Sequence, residues 1–486
     1  FIAELRRDVP EVEAASPFIF TYGFLQVPGT EYQQTVQVAG VRLPERAEVS
    51  DFEDGLFFQR GWPSPTFDPP VEALRRRLDE DAEAIEAIYR RARAAGQPED
   101  LRLADRLRNA LDFHGRARLA MEAAQPHQAA LREAWEKYAA AQARADDGAD
   151  DAGLEELGRQ LDELIDRSGL QPPDRRVVLG LGIPGLSFRT PKGEVVRVMV
   201  PGLKVILAMV PTGRRGTGTI TPVKELFTVV DDCSTDVASF DMETVYVPFE
   251  TLQRLLDLGA VRSADDPSRV AVPARCSQVH VKVRREFGEG RALQDARAKV
   301  DRAWTAFQQR HPDAVFPGDQ VTVQTWRQRQ AKIVQQIESQ RTLVVIMFGI
   351  ISLVAVVLIF VIFYMMVYQK TRDIGVLKAV GASSAGVAGI FLGYGAAIGL
   401  VGSILGTIGG YFFVRHINPI HEALGRWFGF QVWDPEWFLF QQIPNEVDPA
   451  TGGAIVAGAI AAGLLGALIP ALRAARMQPV EALRYE

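Results

Sequence analysis

Apolar and polar residues follow two regimes along the chain. Up to about residue 341 they alternate over short distances, and beyond it three long uncharged runs appear, at 342–368, 385–414 and 452–472. A helix rises 1.5 Å per residue, so about 20 residues cross the hydrocarbon core of a bilayer. Each run is long enough, so the pattern predicts three transmembrane helices and excludes a soluble cytoplasmic enzyme.

The first two thirds read as mixed α and β. Residues 32–38 (YQQTVQV) alternate as a strand does, and residues 1–70 look like strands and loops. Strand-like sequence returns at 176–179, 194–200, 205–210, 226–230 and 279–283, followed by a helical stretch at about 292–310. Strands with a covering helix predict an α+β domain. Its two parts, 1–70 and 169–325, are separated by an Ala-, Glu-, Arg- and Leu-rich segment, 71–168, introduced by Pro63, Pro65, Pro69 and Pro70. Within it Leu74, Leu78, Ile85 and Ile88 share one helical face, and Leu101, Leu107, Leu111 and Leu119 continue another. Breaks at 96–98 and 145–151 predict two long helices and a shorter third, a helical hairpin insertion. Such an insertion either packs on itself as a solvated lobe or is an arm that touches a partner or cargo. Residues 326–341 are polar and amphipathic, with Trp326, Ile333, Val334 and Ile337 on one side. They predict a stalk helix running without a break into the first span.

Lys and Arg near the spans set orientation. The link 369–384 carries Lys370, Arg372 and Lys378, and the tail 473–486 carries Arg473, Arg476 and Arg484. The link 415–451 has Arg415 and Arg426 against Glu422, Asp434, Glu436, Glu446 and Asp448. The short link and the tail are therefore read as cytoplasmic, and the acidic link and everything before residue 342 as outside. Export of such a large domain implies a further span before Phe1, which would give four.

Composition narrows the chemistry. A net charge of −6 over 486 residues argues against nucleic acid as a partner, since phosphate binding needs a concentrated basic face. Two cysteines and six scattered histidines offer no metal-ligand cluster. Cys233 and Cys276 lie at strand ends; an oxidising compartment permits a disulfide between them, and two buried thiols are the alternative. Residues 180–185 (GLGIPG) follow a strand and match the dinucleotide fingerprint in form, but Pro184 and the following LSFRTP leave no helix to receive a pyrophosphate. Gly213 to Gly218 reads as a hairpin tip, with a backbone anion nest as the sharper alternative. There is no GxxxxGK[ST] loop, His421-Glu422 lacks the second histidine of a zinc protease helix, and no nucleophile elbow occurs. No catalytic or metal residue is assigned, and no enzyme activity is expected of this chain.

Two stretches carry more information. Residues 370–383 read KTRDIGVLKAVGAS, in which Ile374, Leu377 and Val380 recur at i, i+3 and i+6 among polar Lys370, Arg372, Asp373 and Lys378, and Gly381 ends the run. This predicts a short amphipathic helix at the membrane surface. The stretch resembles the motif of the FtsX-like permease family, the membrane subunits of ABC transporters in the MacB and LolC/LolE class. Residues 470–486 (PALRAARMQPVEALRYE) are similar to the family's closing sequence. Residues 227–230, 241–250 and 252–256 are similar to its periplasmic core.

The resemblance covers about 170–486, with a weaker match near the start, and the helical segment departs from it. It implies a four-helix permease with a large periplasmic domain between its first and second helices, in the bacterial inner membrane. It further implies that Lys370, Thr371, Arg372, Asp373, Ile374, Gly375, Leu377, Lys378, Gly381 and Ala382 belong to a coupling helix that docks on a separate cytoplasmic ATPase. ATP and magnesium would then sit on that partner, with no cofactor on this chain. In the second span Gly395, Gly399, Gly402, Gly406 and Gly410 supply small-xxx-small pairs for close helix packing or for a dimer with a second permease copy or homologue. The spans hold no charge and so offer no polar pathway. The function expected is therefore mechanical: ATP-driven motion of the outer domain that extracts or exports a lipoprotein or hydrophobic substrate, with a periplasmic partner protein. The alternative is control of a periplasmic cell-wall hydrolase.

Overall fold

The computed structural model describes residues 1–146, 153–190, 193–211, 221–235, 237–262, 270–312, 315, 320–428, 445 and 447–483. It divides into two compact units, one built mainly of residues 1–323 and one mainly of 324–434 and 442–486.

The strands of the first unit are β1 (Val12–Gln26), β2 (Gln33–Val41), β3 (Arg176–Gly180), β4 (Ser187–Arg189), β5 (Val195–Arg197), β6 (Lys204–Met209), β7 (Val223–Cys233), β8 (Thr244–Pro248), β9 (Val261–Arg262), β10 (Val270–Val272) and β11 (Gln278–Val283). Seven form one mixed sheet in the order β11-β1-β2-β8-β3-β7-β6. β1 is long enough to serve two edges. Its first half pairs with β11, and its second half pairs with β2 on one side and β6 on the other. The last pairing, residues 23–26 against 206–209, closes six strands into a ring. Glycine is required at that seam, because a Cβ on Gly23 would lie 2.7 Å from the carbonyl oxygen of Ala208. Alternate residues point inward, and Ile19, Leu25, Val36, Val38, Val177, Leu207, Phe227 and Val247 fill the interior. Burying each large side chain contributes about 1.5–3 kcal/mol before the entropy of ordering is subtracted.

Among the described residues, the segment 71–168 holds four helices: Val71–Ala95, Pro98–Ala124, Gln128–Asp146 and Leu154–Ser168. The sequence reading expected three. The additional one arises because the helical stretch after 98 is divided at Gln125–His127, where Pro126 removes a backbone donor. Leu74, Leu78, Ile85 and Ile88 are buried as one face. The face assigned to the second helix is corrected: Leu101 and Leu119 are exposed, and the buried row is Ala104, Leu107, Ala110, His114, Ala117 and Met121. Alanines let this helix approach its neighbour closely, which a search for leucines overlooks.

The lobe packs on the strands through Val196 and Val200, and through a chain of buried charge. His114 hydrogen-bonds Asp81 at 3.1 Å, Asp81 pairs with Arg197 at 3.4 Å, and Arg197 also pairs with Asp232. The Arg197 guanidinium lies 3.4 Å from the ring centroid of Phe57. Next to Asp232, Asp231 accepts the backbone N–H groups of Phe57, Phe58, Gln59 and Asp232. Full burial, reinforced by the charge of Asp232, pushes the Asp231 carboxyl up to about 8 against those hydrogen bonds.

The two cysteines are not bridged. Cys233 sits among Val41, Leu56 and Tyr246, whereas Cys276 lies against the strand interior, and burial raises both thiols. Residues 180–185 form a turn into β4, with Gly185 at φ +83°, and no helix opens there. The tip at 213–218 lies outside the described residues.

Candidate functional site

The second unit opens with a short helix, Trp326–Arg329, started by Thr325 and Gln328 in a reciprocal capping box. The chain then turns at Gln330 before the helix Ala331–Gln369. The stalk is thus not one unbroken helix from 326, because the capped first turn ends at Gln330. From Ala331 onward the helix is continuous, and its 39 residues extend about 58 Å, well beyond a hydrocarbon core.

Among the described residues, three helices are long and apolar enough to cross a membrane: Ala331–Gln369, Ser384–Arg415 and Pro449–Arg476. The third packs against both others. Its contact with the second is backbone on backbone. A Cβ on Gly395 would meet Ala467 Cβ at 2.7 Å, one on Gly399 would meet Ile460 Cα at 2.9 Å, and one on Gly463 would meet the Gly395 carbonyl oxygen at 2.5 Å. Gly466 makes the same kind of approach to Ile359 of the first. Of the five glycines assigned to packing, Gly395 and Gly399 serve it here. Gly402, Gly406 and Gly410 meet nothing within 4 Å.

Between the first and second spans lies the helix Thr371–Ala379. Thr371 Oγ1 bonds the carbonyl of Tyr368 at 2.8 Å, and Lys370 pairs with Asp373 at 2.9 Å, which fixes the bend out of the first span. Gly381 at φ +107° ends the helix in a backbone conformation that favours glycine. Ser383 then caps the second span by accepting the N–H of Gly386 at 3.0 Å.

The helix has one buried side, though not the one expected. Ile374 packs with Phe363, Val367, Val387, Phe391, Ala467, Ala471 and Ala474, and Ala382 joins the cluster. Gly375 is also buried. Leu377 and Val380, expected beside Ile374, are instead exposed at 49% and 85%, as is Val376 at 49%. They lie on the side turned away from the bundle.

Lys378 departs furthest from its predicted role. Its ammonium turns inward and donates to the carbonyl oxygens of Ala475 at 2.7 Å and Met477 at 2.8 Å, at the C-terminal end of the third span. Those carbonyls belong to the group that a helix end leaves without intrahelical partners. The terminal helix Pro479–Leu483 packs on Thr371–Ala379 from the same side. An open cleft of about 450 Å³ lies beside them, lined by Lys378, Ser384, Leu472, Arg476 and Pro479 among others. Arg473 further ties the third span to the first, through a hydrogen bond to the Tyr364 hydroxyl and by lying over its ring.

The geometry is that of a short helix packed against three helices long and apolar enough to cross a membrane, with an apolar outer side. Comparison with known proteins gives the class a family: the family model described as FtsX-like permease C-terminal matches residues 345–479. The chain is 29% identical over 164 residues to the lipoprotein-releasing system transmembrane protein LolC of Xylella fastidiosa, covering 34% of this chain and 40% of that protein. It is 25% identical over 161 residues to LolE of Haemophilus influenzae, covering 33% and 39%. It is also 30% identical over 120 residues to the uncharacterized ABC transporter permease YvrN of Bacillus subtilis, covering 25% and 24%. The match spans about two fifths of the length of the LolC and LolE relatives. These matches support the resemblance read from residues 370–383: the membrane part is similar to the C-terminal domain of FtsX-like permeases and to the LolC and LolE proteins.

Proposed function

We propose that this chain is the membrane subunit of a bacterial inner-membrane ABC transporter, and that Thr371–Ala379 is its contact with a cytoplasmic ATPase. The observation that carries this reading is the division of that helix. Ile374 and Gly375 are buried in the bundle, while Val376, Leu377 and Val380 stand exposed beside it. Apolar side chains at an exposed helix face gain free energy when a partner covers them. Lys and Arg around the helix and in the tail support a cytoplasmic position. The α+β unit and its helical lobe are then periplasmic, and the names of the LolC and LolE relatives support a lipoprotein as the class of cargo.

ATP is bound and hydrolysed on the partner. This chain contributes a rigid receiver, three spans that move with it, and an outer domain that does the work. The test is affinity purification of the full-length protein in detergent, wild type against Leu377→Asp. The Leu377 side chain is half exposed and is not a member of the buried cluster, so Leu377→Asp leaves the bundle folded and removes a co-purifying ATPase with its ATP turnover. An ATPase that stays bound to the variant, or none in the wild type, overturns the reading. Gly375→Glu is a poorer probe, because it places a charged side chain at a buried position.

A further inference from the structure

We infer that Lys378 is a positioning residue that locks the helix Thr371–Ala379 to the end of the third span, so that the two move as one body. As a statement about transport this rests on the docking role proposed above; as a statement about the molecule it does not.

The covalent chain joins this helix to the first and second spans, through Lys370 and residues 380–383. The third span has no such connection on this side of the membrane. Packing between Gly463 and Gly395 holds it against the second span, and Arg473 bonds it to Tyr364 of the first, but neither contact reaches the short helix. Lys378 supplies the directional link between the short helix and the third span. Two ammonium N–H groups reach two carbonyls at the helix end, where the partial negative charge of the macrodipole adds to each bond. Ile374 reinforces the joint from the next turn by packing on Ala471 and Ala474. The terminal helix Pro479–Leu483 lies against the same short helix, so the end of the third span is held at its last carbonyls and just beyond them. A displacement of residues 371–379 is thereby delivered to all three spans rather than to the two that are covalently attached.

Dipolar EPR on the full-length protein tests this. Spin labels at Ala379→Cys on the short helix and Leu472→Cys on the third span, both exposed, are placed in a Cys233→Ala, Cys276→Ala background. The lock predicts one narrow distance that is the same without nucleotide and after trapping with ATP and vanadate. Lys378→Met, which keeps the aliphatic stem and removes the donors, broadens the distribution at least twofold, and Lys378→Arg restores it. Equal widths for wild type and Lys378→Met overturn the inference, as does a wild-type distance that shifts on trapping. If no ATPase accompanies the wild type, the docking role fails, while the comparison of widths in the permease alone still decides the lock.

Discussion

Single residues show which contacts admit no change. Gly395 and Gly463 sit where any Cβ would enter the opposite backbone, whereas Gly402 meets nothing. Overpacking costs about 1–3 kcal/mol, so Gly395→Val and Gly463→Val each lower the melting temperature of the detergent-solubilised protein, and Gly402→Val leaves it nearly unchanged. Equal losses at all three would show that packing within one chain does not distinguish them. Asp231 gives a pH dependence. Its carboxyl is raised by burial to about 8 from the ordinary 3.8, so the folded unit binds a proton that the unfolded chain releases above about 4. That stabilisation is complete below the unfolded value and is lost as pH rises through about 8. Amide-exchange protection at Phe57, Phe58 and Gln59, corrected for base catalysis, falls between pH 6 and 8.5 and becomes flat in Asp231→Asn. A wild-type profile already flat would contradict the assignment.

Elements were legible from sequence in proportion to how well their type of pattern resists tertiary context. The uncharged runs predicted the membrane helices because only hydrocarbon tolerates 20 such residues in a row. Strand segments such as 205–210 and 226–230 appeared as alternation, whereas closure of the ring did not, since pairing of β1 with β6 depends on contacts far apart in sequence. The alanine face of Pro98–Ala124 was missed because close approach selects small side chains, not leucines. Helix periodicity placed Ile374, Leu377 and Val380 together, but the bundle covers only the first. The inward turn of Lys378 carried no signal, because a lysine beside a membrane reads as a topology charge. Arg197 is the buried charge that joins Asp81 of the lobe to Asp232 of the strands. Removing one member of a buried ion network costs about 3–5 kcal/mol. Arg197→Met removes the guanidinium that Asp81 and Asp232 share and raises hydrogen exchange across Val71–Ala95 and Pro98–Ala124, while Ala331–Gln369 is unaffected. Unchanged exchange in the lobe would show that the apolar contacts at Val196 and Val200 suffice.

At the scale of the whole molecule, three features support the mechanical relay proposed above. One apolar helix extends well past the membrane thickness, three spans are joined at one end by a short helix and a lysine, and a large α+β unit carries a helical lobe fastened by buried charge. The family match covers the spans and the short helix, and the α+β unit with its lobe lies outside it. The most direct measurement is photocrosslinking in living bacteria, with a photoreactive amino acid at position 377 and a control at the exposed position 405 within Ser384–Arg415. The account predicts a crosslink from 377 to a cytoplasmic polypeptide with a nucleotide-binding P-loop, and none from 405. Crosslinks from 377 only to lipid, or to a protein on the outer side of the membrane, would contradict it.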